Sequence, residues 1–341
     1  MTTRPFSATK LASEHGPTAI DTTVIVPMRN AGRYITPALQ SILGQQTTAT
    51  FEIVVVNDAS TDGCDQVVAA WPDPRVRMIQ GGGKGEANAV NLAVAEARGE
   101  YVMRCDADDE WTPDRMEFQI PLLRAHPEFQ AVCGAMGMMS PDGRIRAAAT
   151  DTGGFREITD EIRSGITRAS LCTYAMRTEA FRAIEGCRTW FAVAPDIDLQ
   201  YRFAERFRVG YHPRMVYWYR LHATSVTHTV SNARRIFFDE SARAFQLQRQ
   251  AGRKDDLELG NPGEPPAHAA GAGGAGHSQQ AVDPRAQLQG HLLGAAWRLH
   301  ARGDLPGAFR TSLSAIRMRW WHWTGWWSGL ALAARALRGG G

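Results

Sequence analysis

Three carboxylates fall within four residues, Asp106, Asp108 and Asp109, in the stretch YVMRCDADDEW from Tyr101 to Trp111. They follow an apolar triplet, Tyr101, Val102 and Met103, that reads as a buried strand. Acids crowded at a strand end point toward one open edge, and like charges so close together disfavour one another's ionisation. A divalent cation relieves that repulsion. Mg²⁺ and Mn²⁺ take hard oxygen ligands, commonly one or two carboxylates together with substrate phosphates. The carboxyl end of a parallel strand is also where open α/β sheets bind ligands. The structural alternative is a solvated acidic turn before the helix that Thr112-Pro113-Asp114 would start. Taken alone, the acids suit both readings equally.

Three other places carry chemistry less specifically. Gly81-Gly82-Gly83-Lys84-Gly85 leads into a helix, and backbone N–H groups at a helix start bind anions. Because Gly85 rather than Ser or Thr follows Lys84, it is not a Walker A loop, and a plain glycine-rich turn is an equal reading. Asp58 closes the second apolar run and could accept from a nucleobase or ribose, although a turn before Ser60-Thr61-Asp62 is the simpler role. His222, in YRLHATS, offers a ring nitrogen suited to Mn²⁺, or else packs between Tyr219 and Ser225.

The elements that must position these residues follow a βαβ rhythm. Thr22 to Pro27, Glu52 to Val56, Val76 to Ile79 and Tyr101 to Met103 are short apolar runs predicted as buried parallel strands. Helices are predicted between them: one with an apolar face of Tyr34, Ile35, Ala38, Leu39, Ile42 and Leu43, capped by Asn30, then 62–71 and 86–98. This alternation predicts a mostly parallel sheet with helices on both faces. A helix follows Pro113, with Pro121 expected to kink it. Beyond Phe129 strands and helices no longer alternate, so the sheet is expected to become mixed: strands near 131–145 and 211–219, helices over 179–185, 196–207 and 231–250.

The 341 residues hold one large or two modest domains, and 44% hydrophobic content supports a proper core. A net charge of +3 argues against nucleic acid as a partner. Five cysteines, odd in number and widely spaced, form neither a disulfide framework nor a zinc pattern, and predict a reducing cytoplasm. Residues 1–20 lack an apolar core and are expected as a loose tail rather than a signal peptide. No window reaches the ~18–20 apolar residues a membrane span needs. Residues 251–285, rich in Gly, Ala and Pro, read as a flexible linker. Residues 286–341 form a basic, Trp-rich helical extension, with helices expected over 292–301, 306–318 and 320–337. From Gln287 onward it has seven arginines, one acid (Asp304) and six tryptophans. That mixture suits a membrane-surface helix and equally a subdomain whose tryptophans pack on the rest of the chain.

Taken together, TVIVPMRNAGRYITPALQSILGQ, FEIVVVNDASTDG, the EANAVNLAVAEARGEYV run and CDADDEWTPDRMEFQ resemble the nucleotide-binding half of a family-two glycosyltransferase. APDIDLQYRFAERFRVGYHPRMVYWYRLHATSVTH resembles the acceptor half of that family. The resemblance covers about residues 22–229, with five motifs in the expected order. It implies a GT-A fold over 21–250, its nucleotide-binding half about 21–128 and its acceptor half about 129–230.

The resemblance also implies a metal-dependent, inverting transferase that takes a nucleotide-sugar donor, most often a UDP-sugar, to a glycan or glycolipid acceptor in cell-surface polysaccharide or glycoconjugate synthesis. Pro27, Arg29, Asn30 and Asp58 would hold base and ribose. Asp106 and Asp108 would place Mn²⁺ or Mg²⁺ on the diphosphate, with His222 completing the metal shell. Asp196 would be the catalytic base. Lys84 and Asn91 would belong to the same donor-binding set. Two departures stand out: Val90 replaces the Arg usual before Asn91, passing the phosphate contact to Lys84, and Pro195 replaces the Glu of the acid pair. The location implied is cytoplasmic, peripheral on the inner face of the plasma membrane if the extension binds lipid. Alternatives are a sugar-phosphate nucleotidyltransferase, for which PMRNAGR is a poor loop, and a degenerate sugar-nucleotide-binding protein.

Overall fold

The computed structural model describes residues 20–149, 153–222, 232–266, 283–301, 303–323 and 326–327. Strands β1 (Thr22–Met28), β2 (Phe51–Asn57), β3 (Val76–Gln80) and β4 (Tyr101–Arg104) run parallel in the order β3-β2-β1-β4. All of β2 is buried, and all of β1 except the half-buried Pro27. That is why these strands read as unbroken apolar runs: a parallel sheet is covered on both faces. Successive side chains alternate between the two layers. Ile25, Val54, Val56 and Val102 pack with helix α3 (Glu86–Ala95), whereas Val24, Val26, Ile53, Val55 and Met103 pack with α1 (Ile35–Leu43) and part of α2 (Cys64–Ala69).

Beyond β4 come β5 (Glu110–Trp111), α4 (Arg115–Ala125, with Pro121 inside it), β6 (Phe129–Met139), β7 (Arg146–Ala148), β8 (Arg156–Glu157), α5 (Thr159–Arg163), β9 (Tyr174–Arg177), α6 (Thr178–Ala183), α7 (Pro195–Arg206) and β10 (Arg208–Arg220). The sheet continues β4-β9-β6-β10-β5 and becomes mixed, because β9 lies antiparallel to both β4 and β6. Strand β10 shifts register against β6 at three places, which carries its last residues under the loop after β4. Asn30 does not cap α1, whose first turn is preceded by Tyr34. Instead its side-chain Oδ1 accepts from the Thr61 amide (2.7 Å) and its own N–H donates to Ser60 Oγ, tying the loop after β1 to the loop after β2.

Helix α8 (Asn232–Gln250) packs on α7. The stretch after it is not loose at its start. Asp255 is fully buried, its carboxylate taken by Arg188 and Arg249, and Leu257 packs against the core. The Gly-, Ala- and Pro-rich composition that suggests a linker conceals one buried acid held by two arginines. Residues 267–282 lie outside the described residues, as does the expected tail before residue 20. Helices α9 (Pro284–Ala301) and α10 (Leu305–Met318) form the expected hairpin, α9 starting eight residues earlier than its periodicity suggests. Leu288, Leu292 and Ala315 bury against Ala147 and Leu221, so the hairpin docks on the sheet domain. Of the third helix expected over 320–337, only 320–323 and 326–327 are described. Among the described residues, no helix is long and apolar enough to cross a membrane.

Candidate active site

The carboxyl ends of β1 to β4 lie along one sheet edge: Met28 pairs with Asn57, Asn57 with Gln80, and Ile25 with Arg104. The loops leaving that edge carry Arg29 and Asn30, Asp58, Gly81–Gly85 and Asp106–Asp109. The crevice between β1 and β4 is where strand order reverses, the place open α/β sheets bind ligands.

On the β2 side, the Asp58 carboxylate is nearly buried and accepts from the Lys84 amide with Oδ1 and the Gly85 amide with Oδ2, both 2.9 Å. Its described hydrogen bonds thus shape the glycine loop, and the exposed Arg29 guanidinium lies 3.9 Å from Oδ2. Lys84 is exposed at the tip of that loop. Asn91 is spent elsewhere. Its Nδ2 donates to the Cys187 carbonyl and its Oδ1 accepts from the Cys187 amide, both 2.8 Å. The clamp is close-fitting: Gly186 has φ +68°, and a Cβ there would meet Asn91 Oδ1 at 2.4 Å. With both side-chain polar atoms paired to the backbone of one residue, Asn91 holds the loop before α7 rather than offering itself to a donor.

The three acids divide the work differently from their equal appearance in sequence. Asp109 is fully buried. It accepts from the Arg220 amide (2.7 Å) and from Tyr217 Oη (2.8 Å), while the Asp106 amide donates to the same Tyr217 oxygen (2.9 Å). Burial, and then the charges of Asp108 and Asp106, push the Asp109 carboxyl well above the usual range. It is the anchor of the loop. Below it, the buried Arg115 donates to the carbonyls of Arg104 and Tyr174 and lies 4.1 Å over the Trp111 ring, fixing the end of β4. Asp106 and Asp108 are partly exposed above this base.

Asp108 Oδ2 lies 2.8 Å from His222 Nε2, and the imidazole sits 4.6 Å from the Tyr34 ring. Asp106 accepts from Arg104, which also donates to Glu86, both at 2.6 Å. Two carboxylates and an imidazole are a donor set suited to Mn²⁺ or Mg²⁺ when phosphate oxygens supply the remainder. By themselves the three residues do not close a cage. Among the described residues no group of three or more His, Cys, Asp or Glu side chains converges as a cation site. The reason is local: Asp106 turns toward Arg104 while Asp108 turns toward His222.

Asp196 lies in the first turn of α7, behind Pro195; Ala194, not Asp196, occupies the cap position. Burial first, and then the Glu86 carboxylate, push its carboxyl up to about 6, against the pull of Arg104. The same electrostatic neighbourhood includes Asp106, so the fold brings residues ninety positions apart to one pocket of charge. Asp198 is a different case. It is fully buried, and Arg188 and Arg202 donate to it, with Arg249 4.0 Å away. Glu86, Arg104 and Tyr217 are the site residues that sequence reasoning missed. Glu86 and Arg104 sit at the ends of apolar elements, where a single charge looks like ordinary edge decoration, and Tyr217 reads only as one aromatic among several in β10.

The glycosyl transferase family 2 model matches residues 23–184. EpsE of Bacillus subtilis (strain 168) is 30% identical over 198 residues, covering 55% of this chain and 68% of EpsE. The succinoglycan biosynthesis protein ExoO of Rhizobium meliloti (strain 1021) is 37% identical over 125 residues, 36% of this chain and 35% of ExoO. With ExoO, then, the match spans about a third of the relative's length. The crystal structure of S. aureus TarS 1–349 in complex with UDP-GlcNAc superposes with a TM-score of 0.57 at 20% identity, over 67% of this chain and 66% of that one. It shares the mixed, mostly parallel sheet flanked by helices of the GT-A fold. The sheet, the acids at the end of β4 and these matches agree: the chain belongs to glycosyl transferase family 2.

Proposed function

We propose that the protein moves a sugar from a nucleoside diphosphate sugar, with UDP as the nucleotide, to an acceptor hydroxyl with inversion, in the assembly of a cell-surface polysaccharide or glycoconjugate. The observation that carries this is the meeting of acids from distant parts of the chain in one charged neighbourhood. Asp106 and Asp108 stand at the end of β4, and Asp196, whose carboxyl burial pushes up to about 6, lies within electrostatic reach of Asp106. Relatives support the nucleotide and the acceptor class. TarS crystallises with UDP-GlcNAc and with UDP. A protein named UDP-Glc:alpha-D-GlcNAc-diphosphoundecaprenol beta-1,3-glucosyltransferase WfgD, from Escherichia coli, is 33% identical over 101 residues, 29% of this chain and 40% of that one.

In this reading Pro27, Arg29, Asn30 and Asp58 line the base and ribose end, and Lys84 faces the phosphates from the tip of its loop. Asp106, Asp108 and His222 would hold Mn²⁺ or Mg²⁺. When bound, the cation offsets the negative charge that builds on the departing diphosphate. The acceptor oxygen attacks the anomeric carbon as the bond to phosphate breaks, and Asp196 takes the hydroxyl proton. Tyr217 and Asp109 keep the loop still enough for both acids to face the substrate. Membership of the transferase family leaves the nucleotidyltransferase alternative without a supporting feature.

The test is nucleoside diphosphate release from a panel of UDP-sugars with Mn²⁺, with Mg²⁺ and with chelator. Wild type should release UDP from one of them, lose that activity in chelator and regain it with added cation. Asp108→Asn, which replaces an anionic ligand with a neutral amide, should abolish release. Unchanged turnover in chelator would remove the cation from the mechanism.

A further inference from the structure

Helix α10 buries one side, Ala308, Thr311, Ser312 and Ala315, in a hairpin that it forms with α9. Its other side is not polar. Leu305, Phe309 and Leu313 are exposed, and Ile316 and Trp320 follow at the same three-and-four spacing. At 3.6 residues per turn the four helical positions, Leu305, Phe309, Leu313 and Ile316, fall within about 80° of one another, a single apolar stripe, and Trp320 lies two residues beyond the end of the helix. Phe309 is 60% exposed and Trp320 67%. Directly after it come Trp321, Trp323, Trp326 and Trp327, each more than half exposed. Soluble proteins rarely leave so contiguous an apolar surface without a partner.

Charge says what the partner is. Arg310 and Arg317 are exposed and border the stripe on one side, about 40–60° beyond Leu313. Arg298 is exposed on α9. Two acids stand at the hairpin: Asp304 caps α10, where its carboxylate accepts from the Gly307 amide, and Asp283, just before α9, pairs with Arg319 at 3.4 Å. The remaining sequence, SGLALAARALRGGG, continues with arginine as its only charged residue type. An apolar stripe flanked by arginine and followed by indoles matches the headgroup layer of an anionic bilayer, where indole rings sit at the interface and guanidinium groups meet lipid phosphate. A protein partner would need complementary acids and a cavity for the rings.

We propose that the outward face of α10, together with the tryptophans after it, docks this glycosyltransferase on an anionic membrane surface. The hairpin packs against Leu221, the residue before His222, so the docked protein would carry its reaction site next to the bilayer. This goes beyond the assignment of the reaction and does not depend on which sugar is moved.

Flotation of the full chain with vesicles tests it, using phosphatidylcholine alone and an equimolar phosphatidylcholine–phosphatidylglycerol mixture. The chain should float with the anionic vesicles and not with the neutral ones, and its tryptophan emission should shift to the blue on binding. Arg310→Ser with Arg317→Ser should weaken binding by roughly 25-fold, about five-fold for each arginine near a charged surface. Phe309→Ser with Leu313→Ser should abolish flotation. Both double variants change exposed side chains only, so circular dichroism and UDP release should match wild type, separating failure of docking from failure of the enzyme. No flotation of wild type, or equal flotation of all variants, would overturn the proposal. So would a dimer in light scattering that Phe309→Ser with Leu313→Ser dissolves, since a second copy would then be what covers the stripe.

Discussion

Asp196→Asn gives the most informative single perturbation. The carboxyl is pushed up to about 6 from an ordinary 3.8, so the ionised form is disfavoured by about two pK units, or ~3 kcal/mol. At pH 7 a base with that pKa is still roughly nine-tenths ionised, and it is a stronger base than an ordinary aspartate. Replacing it with Asn removes the proton acceptor and leaves the shape. Transfer should fall by about 10²–10⁴, or ~3–5.5 kcal/mol of transition-state stabilisation, with donor affinity unchanged. Stability should move the other way. A raised folded-state pKa means that proton-linked stabilisation is complete below the unfolded value and lost as pH rises through about 6. At neutral pH the ionised Asp196 therefore costs stability, and the Asn variant should melt no lower than wild type. Initial rates of UDP release with acceptor, measured against pH, give the second readout: kcat/KM of wild type should fall on the acid side near pH 6, and the residual rate of the variant should lack that limb. Near-normal turnover in the variant, or a clear drop in its melting temperature, would refute the reasoning and make Asp196 a structural acid.

Two further outcomes follow from the surrounding framework. Asn91→Ala leaves the Cys187 amide and carbonyl without their shared partner, and should cost about 1–3 kcal/mol in urea unfolding while donor affinity stays the same; a loss of donor affinity at unchanged stability would place Asn91 at the donor after all. Glu52 is buried at 3% exposure, but the opposing hydrogen bonds from Arg98, Thr23 and Arg77 hold its carboxyl down to about 2. Its stabilising contribution is present above the unfolded value of 4.5 and lost as pH falls toward 2. Glu52→Gln should thus be less stable than wild type at neutral pH, and the gap should narrow on acidification. A constant gap would show that its charge is not what matters.

The donor half was legible because its strands are buried on both faces. Unbroken apolar runs at β1, β2 and β4, separated by amphipathic helices, admit few arrangements other than a parallel sheet, and the acids after β4 then fall at its ligand-binding edge. What each acid does was not legible. Asp109 becomes an anchor because Tyr217 and Arg220 arrive from more than a hundred residues away, and nothing near Asp109 in sequence announces them. Asn91 failed for a related reason: a polar residue on an apolar helix looks available until Cys187 folds onto it. The bend in β10 and the two-residue strands β5 and β8 carry too little pattern to detect, since their pairing is set by partners rather than by local propensity. The short span of 252–266 was misread because composition averages over residues, and a single buried Asp255 outweighs the glycines around it.

The ion network around Asp198 reaches further than its own helix. Arg188 and Arg249 both bind Asp255 as well as lying beside Asp198, and Arg249 also donates to Glu205. Four segments of chain, the loop before α7, α7 itself, the end of α8 and the turn at 255, therefore share one set of charges two residues from Asp196. The family match ends at residue 184, before any of these four segments begins. A fragment cut at that boundary would lose these arginines and acids together with Tyr217, Arg220 and His222, the partners of the loop after β4. The matched residues and the segments beyond them are thus held as one structure, and the later segments can vary only so long as those arginines and acids still meet.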